Sequence, residues 1–155
     1  MKGCFYLQRR FAYIGHSMAV LLKEKYGINQ FCAYVDSRQS FDFLNSQNEL
    51  KYTKLLLDQD IHNTYKNELL DIKYLNQLEK EYGLPNFWPY LENDRVIRYG
   101  QFVREYPYDT PPYSHEEMMR IIQVKAKAII NFLKEEKPDF LIVSVLADIS
   151  TMLVF

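Results

Sequence analysis

The sequence predicts an α/β domain, a Rossmann-like parallel sheet with helices on both faces. Three observations predict it. The chain opens with an apolar segment, an amphipathic helix, a glycine and a second apolar segment, which is the order of a βαβ unit. A long helical pattern near the C-terminal end starts on a capping box and stops at Lys137-Pro138-Asp139. The continuous apolar run Phe140 to Leu146 that follows has the character of a central parallel strand covered on both faces.

Taken in order, Gly3 to Leu7 is the first expected strand. Gln8 to Ile14 is expected to be a loop carrying two arginines. A helix follows from Gly15, with His16, Ala19, Leu22 and Tyr26 toward the core and Gly27 as its stop. Ile28 to Val35 is the second strand. Ser37 to Asn48 is polar with Phe41, Phe43 and Leu44 embedded, and Tyr52 to Leu57 fits either a third strand or a helix end. Asn63 to Tyr82 is expected as one helix, with Leu69, Leu70, Tyr74, Leu78 and Tyr82 on one face and Gly83 at its end. Asp94 to Arg104 is ambiguous, and Pro107 to Ser114 is a proline-rich loop. Ser114 and Glu117 form the capping box of a helix whose core face is Ile122, Ala126, Ile129 and Leu133. Asp148 or Ser150 would cap a last helix, which breaks off on Leu-Val-Phe. That unfinished apolar end leads us to expect the N-terminal piece of a longer protein.

Composition narrows the function classes. The 155 residues are 48% hydrophobic and 25% charged, with a formal net charge of −1. That balance excludes the basic footprint of a nucleic-acid binder and the charge excess of a disordered chain. Five glycines leave little room for a glycine-rich phosphate cradle. Cys4 and Cys32 sit in the two strands and read as buried thiols. Neither has further ligands at metal spacing, so no metal and no cofactor is expected. Gln8-Arg9-Arg10-Phe11 has the look of a twin-arginine signal, but His16 and Lys23-Glu24-Lys25 interrupt the apolar stretch that should follow. No apolar run reaches 18 residues, so no transmembrane segment is expected and a cytoplasmic location follows.

The loop after the first strand is the richest candidate site. Ligands of open parallel sheets bind beyond the carboxyl ends of the strands, where a helix start and cations attract anions. Arg9, Arg10, Gly15 and Ser17 are the candidate substrate-binding residues there. His16 could act as a general base near neutral pH. The plain alternatives are surface arginines and a histidine packed at a helix start. Asp148 and Ser150, after the apolar strand, form a second candidate group, with a simple helix cap as their alternative. The pair Asp58 and Asp60 near His62 has the residue types of a metal site without its context. The aromatic group Phe87, Trp88, Tyr90, Tyr106, Tyr108 and Tyr113 could stack a sugar or simply pack together.

Gly15-His16-Ser17-Met18-Ala19 after a first strand, with Lys137-Pro138-Asp139 leading into a buried strand, resembles the N-terminal half of GT-B-type glycosyltransferases. Within that superfamily the chain is most similar to bacterial and archaeal proteins of capsule and surface polysaccharide biosynthesis. Leu78 to Gly83, Asn86 to Tyr90 and Asp94-Arg95 share the likeness. The resemblance implies an incomplete N-terminal GT-B domain that binds a glycan or lipid-linked acceptor, with His16 as base. It implies a nucleotide-sugar donor held mainly by a C-terminal half beyond Phe155, and leaves peripheral association with a membrane open. The longer first loop and Arg9-Arg10 depart from the usual glycine-rich pattern. The competing reading is a non-catalytic α/β ligand-binding or protein-interaction domain. A receiver-like version of it would need acidic residues after the first strand, where Gln8-Arg9-Arg10 stands.

Overall fold

The computed structural model describes residues 1–8, 10–94, 113–143 and 149–154. The chain divides into two compact units. Unit 1 is Met1–Asp60 with Ile130–Val145, and unit 2 is Ile61–Ile129 with Leu146–Phe155.

Unit 1 is the predicted α/β core. Its strands are β1 (Lys2–Leu7), β2 (Gln30–Val35), β3 (Leu55–Leu57) and β4 (Phe140–Val143). They form one parallel sheet in the order β3-β2-β1-β4. Helices α1 (Phe11–Tyr26) and α2 (Arg38–Ser46) connect β1 to β2 and β2 to β3. The two faces of the sheet follow the strand period of two. Phe5, Leu7, Phe31, Ala33 and Val35 pack with Ala12 and Ala19 of α1 and Leu44 of α2. Cys4 and Cys32 face the other way, against Phe132 and Leu133 from the end of helix α6 (His115–Glu136). This is a Rossmann-like arrangement with helices on both faces.

The two cysteines are buried, free, and paired in register on adjacent strands. The neighbouring Cys32 thiol, together with burial, pushes the Cys4 thiol above the ordinary range, while the hydrogen bond with Cys4 draws Cys32 below it. The start of β4 is tied to β1. The Lys2 amide donates to Asp139 Oδ2 at 2.6 Å, and the Asp139 amide donates to the Lys2 carbonyl at 2.8 Å. Lys2 Nζ also pairs with Glu136 at 2.5 Å, where Thr53 donates a second bond at 2.6 Å. Burial opposes ionisation of Glu136, but Lys2, Thr53 and Lys54 outweigh it and hold the carboxyl below its usual range.

The structure corrects two element boundaries. The expected loop Gln8 to Ile14 is helical from Phe11, whose amide donates to the Gln8 carbonyl at 2.9 Å. The earlier start adds a turn whose Ala12 joins the core face, where the expected His16 and Ala19 keep their places and Leu22 is half-buried. The core residues of the helix are Ala12, Gly15, His16 and Ala19, while Tyr26 is exposed. The stop at Gly27 stands, with φ of 68° and its amide closing on Lys23.

The second correction lies in unit 2. The expected helix Asn63 to Tyr82 is broken. A short helix α3 (Asp58–Asn63) runs into a 3-10 turn (Thr64–Asn67), and α4 begins afresh at Ile72 and ends at Glu81. The break is held from outside. Buried Gln123 on α6 accepts the Asp71 amide at 2.7 Å and donates to the Leu69 carbonyl at 2.8 Å and to Glu68 at 2.7 Å. Asp71 then caps α4 by accepting the Tyr74 amide at 3.0 Å. Leu69 is left exposed, and Leu75 and Leu78 take the core positions.

Unit 2 also contains α5 (Trp88–Asn93) and α7 (Ile149–Val154). The capping box of α6 forms as read. The Glu117 amide donates to Ser114 Oγ at 3.3 Å, and Glu117 accepts the Ser114 amide at 2.8 Å. The ambiguous stretch from Arg95 on, the prolines at 107, 111 and 112, Tyr106 and Tyr108 lie outside the described residues. No helix among the described residues is long and apolar enough to cross a membrane.

Candidate functional site

The register of unit 1 aligns the carboxyl ends of three strands. Leu7 pairs with Val35, and Val35 with Leu57. The next residue of each strand is polar: Gln8, Asp36 and Asp58. An amide and two carboxylates therefore stand along the edge where parallel sheets take their ligands. Gln8 is buried, and the two aspartates are half-buried.

The neighbours of this row are polar as well. The Tyr34 hydroxyl donates to Asp58 Oδ1, and the Tyr34 ring stacks on Tyr6 with centroids 4.9 Å apart. Asp58 is thus positioned from inside the sheet by a buried phenol. Ser37 caps α2 and meets the Ser40 hydroxyl at 3.0 Å. Arg38 grips Asp60 with one nitrogen, at 2.6 and 2.7 Å from its two carboxylate oxygens. Both groups are about half-exposed, so water screens the pair and it adds little stability. Its guanidinium stays at the edge as a charged donor.

Of the residues singled out from the sequence, Arg10, Gly15, His16, Ser17 and Ser150 are among the described ones. Gly15 is buried against the end of β1. A Cβ there would lie 2.5 Å from Leu7 Cδ2, so the glycine sets how closely α1 approaches the strand. Ser17 is exposed and returns its hydroxyl to the Tyr13 carbonyl at 3.1 Å, inside its own helix. Arg10 is the exposed N-cap residue of α1, with no side-chain cap bond. Arg9 and Asp148 lie outside the described residues. Ser150 belongs to unit 2, is fully buried, and accepts from Lys125 Nζ at 3.0 Å. Its helix is capped from a distance instead: the Ile149 amide donates to Asp94 at 2.9 Å.

His16 sits on the second turn of α1 and is 6% exposed. Its Nδ1 lies 3.2 Å from the Tyr52 hydroxyl, and its Nε2 3.9 Å from Glu49. The Phe43 ring meets it edge-on at 5.8 Å. All of these groups belong to α2 and the loop after it. Burial pulls the imidazole below its ordinary value against the opposing pull of Glu49, so the ring is neutral at pH 7. Burial also raises the Tyr52 phenol, which keeps its proton.

Sequence reasoning passed over Gln8 and Asp36 as site residues and set Asp58 aside as a loop residue. The signal was present. Each is the first polar residue after an apolar strand. In unit 2, His62 Nε2 lies 3.0 Å from the Tyr113 hydroxyl, with Tyr65 packed edge-on against both rings. Trp88 packs edge-on against His115 at 5.1 Å. No group of three metal-ligating side chains occurs among the described residues. Comparison with protein-family models, curated proteins and solved structures returns no match.

Proposed function

We propose that this chain is the acceptor-binding domain of a sugar-transferring enzyme of surface polysaccharide synthesis, using a nucleotide-sugar donor. The observation that carries the reading is the row Gln8, Asp36 and Asp58 at the carboxyl edge of a parallel sheet. An amide and carboxylates, with Ser37 and Arg38 beside them, suit a ligand that presents many hydroxyl groups. Carboxylates accept from sugar hydroxyls, and amide and guanidinium groups donate to them. The likeness of Gly15 to Ala19 and of Lys137-Pro138-Asp139 to GT-B enzymes supports the choice of sugar transfer.

The chemistry needed on this side of such a reaction is modest. One acceptor hydroxyl must be oriented, and its proton removed as its oxygen attacks the anomeric carbon. The resemblance gives the base role to His16. A buried ring engaged by Tyr52 is a poor acceptor for a substrate proton. The reading therefore assigns the proton to Asp36 or Asp58, at the strand ends themselves, and keeps His16 as a positioning residue between α1 and α2.

The test is ligand-observed NMR on the 155-residue chain with a panel of hexoses, hexosamines and their disaccharides. Saturation transfer to at least one sugar is expected, and Asp58→Asn or Asp36→Asn should abolish it. No transfer to any sugar, or transfer untouched by both variants, would overturn the reading.

A further inference from the structure

Helix α1 carries a second apolar face that stays exposed among the described residues. Phe11, Ile14, Met18 and Leu21 are 43, 56, 39 and 49% exposed. Their spacing is three, four and three, the a/d seam of a heptad pattern, and it faces away from the buried stripe of Ala12, Gly15, His16 and Ala19. Large apolar side chains scattered singly over a surface need no explanation, but four in one row on one helix do. Together they leave on the order of 400 Å² of apolar surface in water, the size of the largest patch on an ordinary monomer, which is often functional.

We propose that this face pairs with the same face of a second copy, two α1 helices packing antiparallel across a two-fold axis. Self-complementarity favours this occupant. An antiparallel two-fold centred near Met18 sets Ile14 against the partner subunit's Leu21, and Met18 against the partner's Met18. The same operation brings exposed Arg10, at the N-terminal end of the seam, beside the partner's Glu24. Arg10 and Glu24 flank the stripe on the same side, and within one helix they stand roughly 21 Å apart, too far to pair. Only a second, reversed helix brings them together. A symmetric dimer requires a patch that is its own complement, and the apolar row and opposite end charges of this one meet that condition.

A bilayer surface fits less well. Membrane-lying helices combine a broad apolar face with lysine and arginine flanks. Here the apolar stripe is narrow, and its edges mix Glu24 with Arg10 and Lys25 instead of carrying cations alone. The helix spans roughly 24 Å, so two such faces bury on the order of 1,000 Å², the small end of specific interfaces. Association should therefore be weak and concentration-dependent.

Sedimentation velocity on the full chain, from low micromolar to several hundred micromolar, tests the proposal. The mass should rise from 18.6 kDa toward that of a dimer. Ile14→Glu with Leu21→Glu should hold the chain monomeric with an unchanged circular dichroism spectrum, since both side chains are exposed. Arg10→Glu and Glu24→Arg should each weaken the dimer about tenfold, and the double exchange should restore it. A monomer at every concentration would overturn the proposal, as would a dimer indifferent to these variants or an exchange that fails to restore. A monomer that binds anionic phospholipid vesicles through Ile14 and Leu21 would replace it with the membrane reading.

Discussion

Gly3 lies in the middle of the sheet, opposite Phe31 on β2 and Phe140 on β4. Both rings lean across it. A Cβ on Gly3 would lie 2.6 and 2.9 Å from two Phe140 ring carbons and 2.9 Å from one of Phe31. Carbon atoms pack best at about 3.5–4.0 Å, so Gly3→Ala must push one ring away by nearly 1 Å. Phe31 is wholly buried and has nowhere to go. Phe140 is half-buried on the outermost strand and must give. Backbone propensity alone predicts that alanine stabilises a strand by about 0.5–1 kcal/mol over glycine. Overpacking costs about 1–3 kcal/mol and outweighs it. Gly3→Ala should thus destabilise by about 1–2 kcal/mol, lowering Tm by about 2–8 °C. Urea and thermal unfolding followed by circular dichroism read this directly. Phe140→Leu frees the space, so the double variant should lose less than the two single losses added. A Gly3→Ala protein as stable as the parent would refute the reasoning, because the rings would then not close over the glycine.

Three further outcomes follow from the same kind of argument. The unfolded imidazole of His16 takes a proton near pH 6.5, whereas burial lets the folded one do so only at lower pH. Its contribution is therefore full above about pH 6.5 and falls as the pH drops. His16→Gln should flatten the stability curve between pH 7 and 5, and an unchanged slope would speak against the buried ring. Glu49, Glu68, Glu117 and Glu136 are all held below the ordinary carboxyl range, so their share is lost only in more acid solution. Gln123→Met strands the Asp71 amide and the Leu69 carbonyl, and should cost about 2–4 kcal/mol. Amide exchange at 69–71 should quicken with it, and unaltered exchange there would show that Gln123 does not hold the break. Ser114→Ala removes the cap of α6 and should cost about 1 kcal/mol in urea titration.

β1 and β2 were legible because they are short apolar runs buried on both faces, whereas Phe140–Val143, expected as a central covered strand, is half-buried at the end of the described strand order beside β1. Gly3 to Leu7 and Phe140 to Val143 needed no tertiary information. The middle of the chain was not, and Gln123 shows why. Residues 63–82 carry a passable helical pattern. The side chain that breaks it arrives from more than fifty positions away, bringing hydrogen bonds that a local pattern cannot contain. The start of α1 failed for a different reason. Arg10 caps it without a side-chain bond, so the usual Ser, Thr or Asp signal is missing. The start was therefore placed four residues late, which left Phe11 and Ile14 in a loop and hid the second apolar stripe.

Packing also decides what a helical side chain can do: His16 meets Tyr52, from the loop after α2. Polar groups at the sheet edge then come from the residues that end the strands. A side chain five residues into a helix takes its direction from the packing of that helix. A residue directly after a strand takes its position from the register of the whole sheet. Parallel pairing aligns Leu7, Val35 and Leu57, and Gln8, Asp36 and Asp58, the last at the start of α3, follow directly on them. A candidate row set by register is the more rigid scaffold, and the proposed reading of it as a sugar site draws on that, because pre-ordered groups lower the cost of holding a flexible ligand.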